Sequence, residues 1–133
     1  MRDGMTIGRL AKAAGVNVET IRYYQRRELI DEPVKPPGGQ RRYADAILRR
    51  IAFIRRAQQL GFSLEEVKSL LKLAHGTRPA ETRALAELKF AELGRRMDQL
   101  NDMRGNLKQL IAKSLKAKAN GPCPIIGALS ARD

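Results

Sequence analysis

Apolar positions recur at helical spacing from the start of the chain. Ile7, Leu10, Ala11 and Ala14 fall at i, i+3, i+4 and i+7, one face of a short helix. Gly15 supplies the left-handed conformation that ends such a helix, Val16 packs back toward the core, and Asn17 is a good N-cap for a second helix beginning at Val18. In that second helix Ile21 points inward. Arg22, Tyr23, Gln25, Arg26 and Arg27 cover its other faces with cationic and hydrogen-bonding groups suited to phosphates and base edges. The pattern predicts a helix-turn-helix with a basic second helix.

The next stretch changes character. Pro36, Pro37 and the Gly38-Gly39 pair exclude a helix and predict a hairpin, a small β wing whose returning strand is Gln40, Arg41, Arg42 and Tyr43. Two adjacent arginines on an extended segment make a second phosphate-contacting element, and the ring of Tyr43 packs inward. Asp45 is then expected to cap a helix that turns Ile47, Leu48, Ile51 and Ile54 to the core and Arg49, Arg50, Arg55 and Arg56 outward, ending at Gly61. Phe62, Ser63, Glu66 and Val67 predict a capping box with a hydrophobic staple, opening a fourth helix through Leu64, Leu70, Leu71 and Ala74 to His75-Gly76.

From Pro79 to about Lys118 only Gly94 and Gly105 interrupt a helical pattern, too long for an ordinary globular helix. Leu93, Leu100 and Leu107 recur at seven, with Phe90, Met97 and Ile111 in the second seam and Arg104 interrupting it, which predicts a two-stranded coiled coil. Pro79 is tolerated in a first turn, where its missing N–H has no helical partner. The remaining stretch opens on an Asn-Gly-Pro turn and carries Cys123 before Pro124, Ile125, Ile126 and Leu129.

Composition narrows what this architecture serves. The 133 residues carry a net charge of +12, with 13 Lys/Arg against 6 Asp/Glu in residues 1–60 and 13 against 8 in residues 61–133. Excess positive charge throughout fits a polyanionic partner, or alternatively a membrane surface or ribosomal RNA. With no Trp there is no stacking platform for single strands, so duplex DNA fits best. One His, one Cys and no glycine-rich phosphate loop leave no catalytic constellation, and no enzyme is expected. No apolar run spans a bilayer, and the short polar start does not resemble a signal peptide, so a cytoplasmic protein without membrane partners is expected.

TIGRLAKAAGVNVETIRYYQRRELI, followed by GGQRRY and FIRRAQQLGFSLEEVKSLL, resembles the MerR family of transcriptional regulators over nearly the whole chain. LGFSLEE, the pair Gly76-Thr77, LAELK and CPII are most similar to its mercury-responsive branch. The resemblance implies an all-α fold with a small β wing: a winged helix-turn-helix DNA-binding domain over residues 4–75, a dimerisation helix over 76–118 in a long antiparallel coiled coil, and a C-terminal effector-loop tail over 119–133. It also implies a homodimer that binds an over-long palindromic promoter spacer and untwists it for RNA polymerase. The DNA-contacting set expected is Thr6, Asn17, Val18, Thr20, Arg22, Tyr23, Tyr24, Arg26, Gln40, Arg41, Arg42 and Tyr43, with Phe90, Leu93, Met97, Leu100, Leu107 and Ile111 at the dimer seam.

The effector chemistry departs from the family. Its mercury-responsive members bind the metal through three cysteines, and the corresponding positions here are Pro79, Ser114 and Cys123. Only Cys123 brings a thiol, so the trithiolate site cannot form as the sequence stands. No cofactor is therefore assigned with certainty, a thiophilic metal ion, mercury by resemblance, being the candidate. A site from His75, Glu81 and Cys123 of a second copy is an alternative, although a lone histidine beside a helix-ending glycine more often caps that helix. Two further readings stand beside metal sensing: a thiol that senses an electrophile, and a small hydrophobe buried under Ile125 and Leu129 with sensing lost.

Overall fold

The computed structural model describes residues 4–76 and 78–131; Thr77 of the Gly76-Thr77 pair lies outside the described residues. Six helices are present among them: α1 (Ile7–Ala14), α2 (Val18–Arg26), α3 (Asp45–Gln59), α4 (Leu64–Ala74), α5 (Pro79–Lys116) and α6 (Pro124–Ser130). They fall into two compact units, one through Ala86 and one from Glu87.

In the first unit the helix ends are set by local chemistry. Thr6 caps α1 by accepting from the Arg9 N–H at 3.3 Å, and Gly15 closes it at φ 71°. Asn17 Oδ1 accepts from both the backbone N–H and the hydroxyl of Thr20, at 2.8 and 2.9 Å, and fixes the start of α2. Ser63 and Glu66 form the expected capping box on α4. Asp45 is not a cap: it is the first residue of α3, Ala44 holds the cap position without a side-chain bond, and the Asp45 carboxylate instead lies in the first turn, where the helix dipole favours it.

One core joins α1 to α4. Leu10, Ile21, Ile51, Ile54 and Val67 are fully buried, with Phe62, Ile47 and Leu48 partly buried against them. Leu29, Ile30 and Tyr43 join them from the loops. Burial of each large apolar side chain contributes roughly 1.5–3 kcal/mol, so this cluster is what orients α2.

The β wing is not there. The described residues contain no strand, and their only β pairing is an isolated bridge in which Met5 and Tyr43 exchange N–H···O bonds of 2.9 and 2.8 Å. Pro33, Pro36 and Pro37 offer no N–H to a ladder, and Gly38 at φ 68° closes a tight turn with Gly39 N–H on the Pro36 carbonyl at 3.2 Å. The returning limb finds its partner at the N-terminus, so the fold is all-α.

In the second unit α5 continues to Lys116, and a turn leads to α6, a short helix within the stretch expected as an effector-loop tail. Pro124 fits its first turn. Both glycines of α5 lie inside the helix with open space around them. The seam residues are uncovered: Phe90 is 81% exposed, and Met97, Leu100, Leu107 and Ile111 lie between 52% and 63%. Leu93 is exposed less, at 37%. No described helix is long and apolar enough to cross a membrane.

Candidate nucleic-acid interface

Helix α2 presents two opposed faces. Ile21 and Tyr24 are buried, while Arg22, Tyr23 and Arg26 are exposed on the other side. Arg22 is held by Glu19 at 2.9 Å, and the guanidinium carbons of Arg26 and Arg27 each lie 5.9 Å from the Tyr23 ring centroid. Stacking over an aromatic face orients a cation without neutralising it, which leaves its donors available. Arg27 is in addition paired with Glu65 on α4 at 3.1 Å.

Arg22 and Gln25 share a hollow of about 330 Å³ with Ile7, Glu32, Lys35, Gln40, Arg41 and Tyr43. Side chains close it where a strand ladder was expected. Tyr43 Oη donates to Gln25 Oε1 at 2.6 Å, and Gln25 Nε2 donates to Glu32 Oε2 at 3.3 Å. Arg41 Nε donates to the Pro33 carbonyl at 2.9 Å, and its Nη2 lies 3.6 Å from Glu32. The side chain of Arg41 is thus fixed while remaining 40% exposed. Burial pushes the Tyr43 phenol above the ordinary tyrosine range; Glu32 adds to this, and Arg41 and Arg22 oppose it.

Several expected contacts sit differently. Tyr24 is a core residue: only 4% exposed, it donates to Gln58 on α3 at 2.9 Å, and burial raises its phenol against the opposing charge of Arg55. Tyr43 is buried as expected of its ring, so neither tyrosine offers its ring to a groove. Thr6 and Asn17 cap helices, Thr20 is bonded to Asn17, and Val18 is partly buried against the core. Gln40 is exposed and Arg42 half-buried, its Nε buried without a hydrogen-bond partner. Sequence reasoning missed the inward roles of Gln25 and Arg55; the latter, expected outside, donates to the Gly15 carbonyl at 2.8 Å and ties α3 to the turn.

At the other end of the chain Cys123 is exposed, the N-cap of α6, rather than buried under Ile125 and Leu129. The backbone N–H groups of Ile126 and Ile125 at the start of α6 hold its thiol below the ordinary range; slight desolvation opposes them, and the Ser114 hydroxyl assists. Of the three family ligand positions, Ser114 thus lies near enough to Cys123 to act on its thiol. The donor set does not fit a trithiolate, because serine offers a hard hydroxyl and Pro79 no side-chain donor. Among the described residues no group of three His, Cys, Asp or Glu could hold a metal; Glu81 pairs with Arg78 at 3.5 Å, and His75 caps α4.

Residues 5–74 match the family described as MerR HTH family regulatory protein, and residues 48–110 match MerR, DNA binding. The chain is 46% identical over 127 residues to the mercuric resistance operon regulatory protein of Pseudomonas fluorescens, covering 96% of this chain and 88% of that protein. A transcription regulator from Ralstonia metallidurans, solved with lead(II), superposes with a TM-score of 0.82 at 30% identity over 95% of this chain and 99% of that one. The MerR regulator of Bacillus megaterium with mercury(II) gives 0.73 at 31% identity over 96% and 100%. These relatives are transcription regulators and not enzymes, and they include both mercury and lead proteins, so the metal branch is not distinguished. The helix-turn-helix geometry and the extent of these matches place the chain in the MerR family of DNA-binding transcriptional regulators.

Proposed function

We propose that this regulator acts in the cytoplasm as a homodimer on a palindromic promoter spacer, which it distorts so that RNA polymerase can engage. One recognition helix covers only a half-site, and a two-fold dimer reads two. The observation that carries this reading is the exposed Arg22, Tyr23 and Arg26 face of α2 beside the fixed Arg41. In this reading Arg22, Tyr23 and Arg26 enter the major groove, and Gln40, Arg41 and Arg42 follow the flanking backbone. Residues 76–118 pair with a second copy through the uncovered Phe90, Leu93, Met97, Leu100, Leu107 and Ile111. Met103, 58% exposed, lies one residue before Arg104 in the second seam and flanks the contact.

Footprinting and sedimentation test this together. Protection of two half-sites related by a dyad, and a dimer at micromolar concentration, are expected. Protection of one unrepeated half-site, or a monomer, overturns the proposal. Affinity should also fall steeply with salt, the logarithmic slope being about −0.9 per phosphate neutralised.

The effector reading rests on residues 119–133. We assign it to thiol-directed chemistry at Cys123, since the donor set lacks the two further thiols of a trithiolate. The exposed, acidified thiol favours an electrophile, with a soft ion on one sulfur as the metal variant. Transcription read with a panel of soft metals and electrophiles should respond in the wild type and not in Cys123→Ser. An unchanged response in that variant places the effector elsewhere.

A further inference from the structure

Residues from the end of α2, from α3 and from α4 line a second cleft of about 330 Å³: Glu28, Arg50, Lys68, Leu71, Lys72 and His75. It shares no lining residue with the hollow beside the recognition helix. Three fixed cations and one carboxylate give it a local charge of +2 with His75 neutral. These cations are poorly neutralised within the protein. Among the described residues Arg50 and Lys72 have no ion pair, and Lys68 reaches Glu65 only at 4.0 Å. Arg50 Nε is buried and has no hydrogen-bond partner. A buried donor without an acceptor is uncommon in folded proteins, and this one belongs to a side chain that lines the cationic cleft, where a small movement of the guanidinium would meet an acceptor from outside the chain.

We propose that this cleft binds a phosphate group. Guanidinium and ammonium groups donate and never accept, so the ligand they satisfy is an oxyanion. The donors come from two helices, and a tetrahedral dianion can meet both sides where a planar carboxylate presents its oxygens in one plane. Its charge also balances the +2 of the walls. Glu28 is the one opposing group and tunes the site downward. The phosphate is either free in solution or part of a DNA backbone, and the two sources share this chemistry.

The test is heteronuclear NMR on the full chain, following the Arg50 Nε–H and the Lys68 and Lys72 amides as inorganic phosphate is added at constant ionic strength with chloride as the balancing anion. A saturable shift of all three is expected. Lys68→Gln with Lys72→Gln should weaken binding by at least about tenfold, and Glu28→Gln should tighten it. Arg50→Lys, which keeps the charge but loses the Nε–H, should also weaken it, which separates donor geometry from bulk charge. Thermal unfolding of each variant confirms that it folds. A random duplex that moves the same resonances in competition with phosphate names the DNA backbone as the source; phosphate acting alone names a free anion. Shifts that grow linearly and equally with chloride, or that persist in the double lysine variant, overturn the proposal.

Discussion

Tyr43 Oη donates to Gln25 Oε1 at 2.6 Å, and this bond fastens the 33–43 segment to the recognition helix. The contacts continue through Glu32 to Arg41 and the Pro33 carbonyl, holding in place a loop whose prolines preclude a strand ladder. Gln25→Met removes the acceptor with little change of shape and leaves a phenol on a residue only 1% exposed without its partner. An unsatisfied buried hydroxyl costs about 1–3 kcal/mol, so urea unfolding should show a loss of that size. On DNA the expected outcome is coupling. Arg41→Ala should weaken specific and random binding alike and lower the salt slope by about 1. Gln25→Met added to it should cost little more. Additive losses in that double-mutant cycle refute an action of Gln25 through Arg41.

Glu32 lies 3.6 Å from Arg41, so under the proposed reading it should compete with DNA for that guanidinium. Glu32→Gln keeps an oxygen for Gln25 Nε2 and removes the charge. Because both partners are substantially exposed, the lost pair should change stability by no more than about 1 kcal/mol. Binding should tighten by about fivefold, equally on operator and random duplex, since a released Arg41 meets phosphates and not bases. Tightening on the operator alone shows that Arg41 reads sequence.

Helices α1, α2 and α4 were legible in the sequence because each carries its own boundary chemistry, whereas the cap expected of Asp45 on α3 did not form. Asn17, Gly15, and Ser63 with Glu66 act within a few residues, and all appear where the pattern places them. The wing misled because Gly38-Gly39 between polar flanks signals a turn in either case, and whether its limbs pair depends on a partner distant in sequence. Here that partner is Met5. Tyr24 and Arg55 were misplaced for a related reason. Amphipathic side chains join the apolar face when an acceptor awaits them, and Gln58 and the Gly15 carbonyl become visible only once α2 and α3 pack.

Glu28 occupies the left-handed region at φ 59°, the one non-glycine described there. The position follows from the end of α2, where the Leu29 N–H returns to the Tyr24 carbonyl at 2.9 Å. A residue with Cβ pays roughly 1–2 kcal/mol in this conformation, and glycine returns about 0.5–1 kcal/mol through its freer unfolded chain. Glu28→Gly should therefore stabilise the protein by about 0.5–1 kcal/mol in urea unfolding. A loss of stability instead assigns the Glu28 carboxylate a stabilising contact.

The Cys123 thiol is lowered by the Ile126 and Ile125 N–H groups first and by Ser114 to a lesser extent. A lowered value means that thiolate is present at a lower pH than for a free cysteine. The rate of alkylation by iodoacetamide should accordingly rise over a lower pH range than that of a cysteine peptide. Ser114→Ala should move the profile slightly upward. Unfolding in urea should return it to the ordinary range, since the helix N–H groups are then lost. Identical profiles for folded and unfolded chain refute the effect.

The nearness of Ser114 to Cys123 also makes a test of soft-metal binding. A hydroxyl is a poor ligand for mercury, but its position, near enough to act on the thiol, is one a second sulfur can use. Ser114→Cys should therefore create a dithiol that binds mercury(II) more tightly than the parent by orders of magnitude, in competition with a small thiol. Cys123→Ser in that background should abolish the gain, because two-coordinate binding needs both sulfurs. Under mild oxidation the Ser114→Cys chain should also close an internal disulfide, which reports the approach of the two positions without any metal. Parent protein that already holds mercury tightly, with the property surviving Cys123→Ser, requires ligands outside this pair.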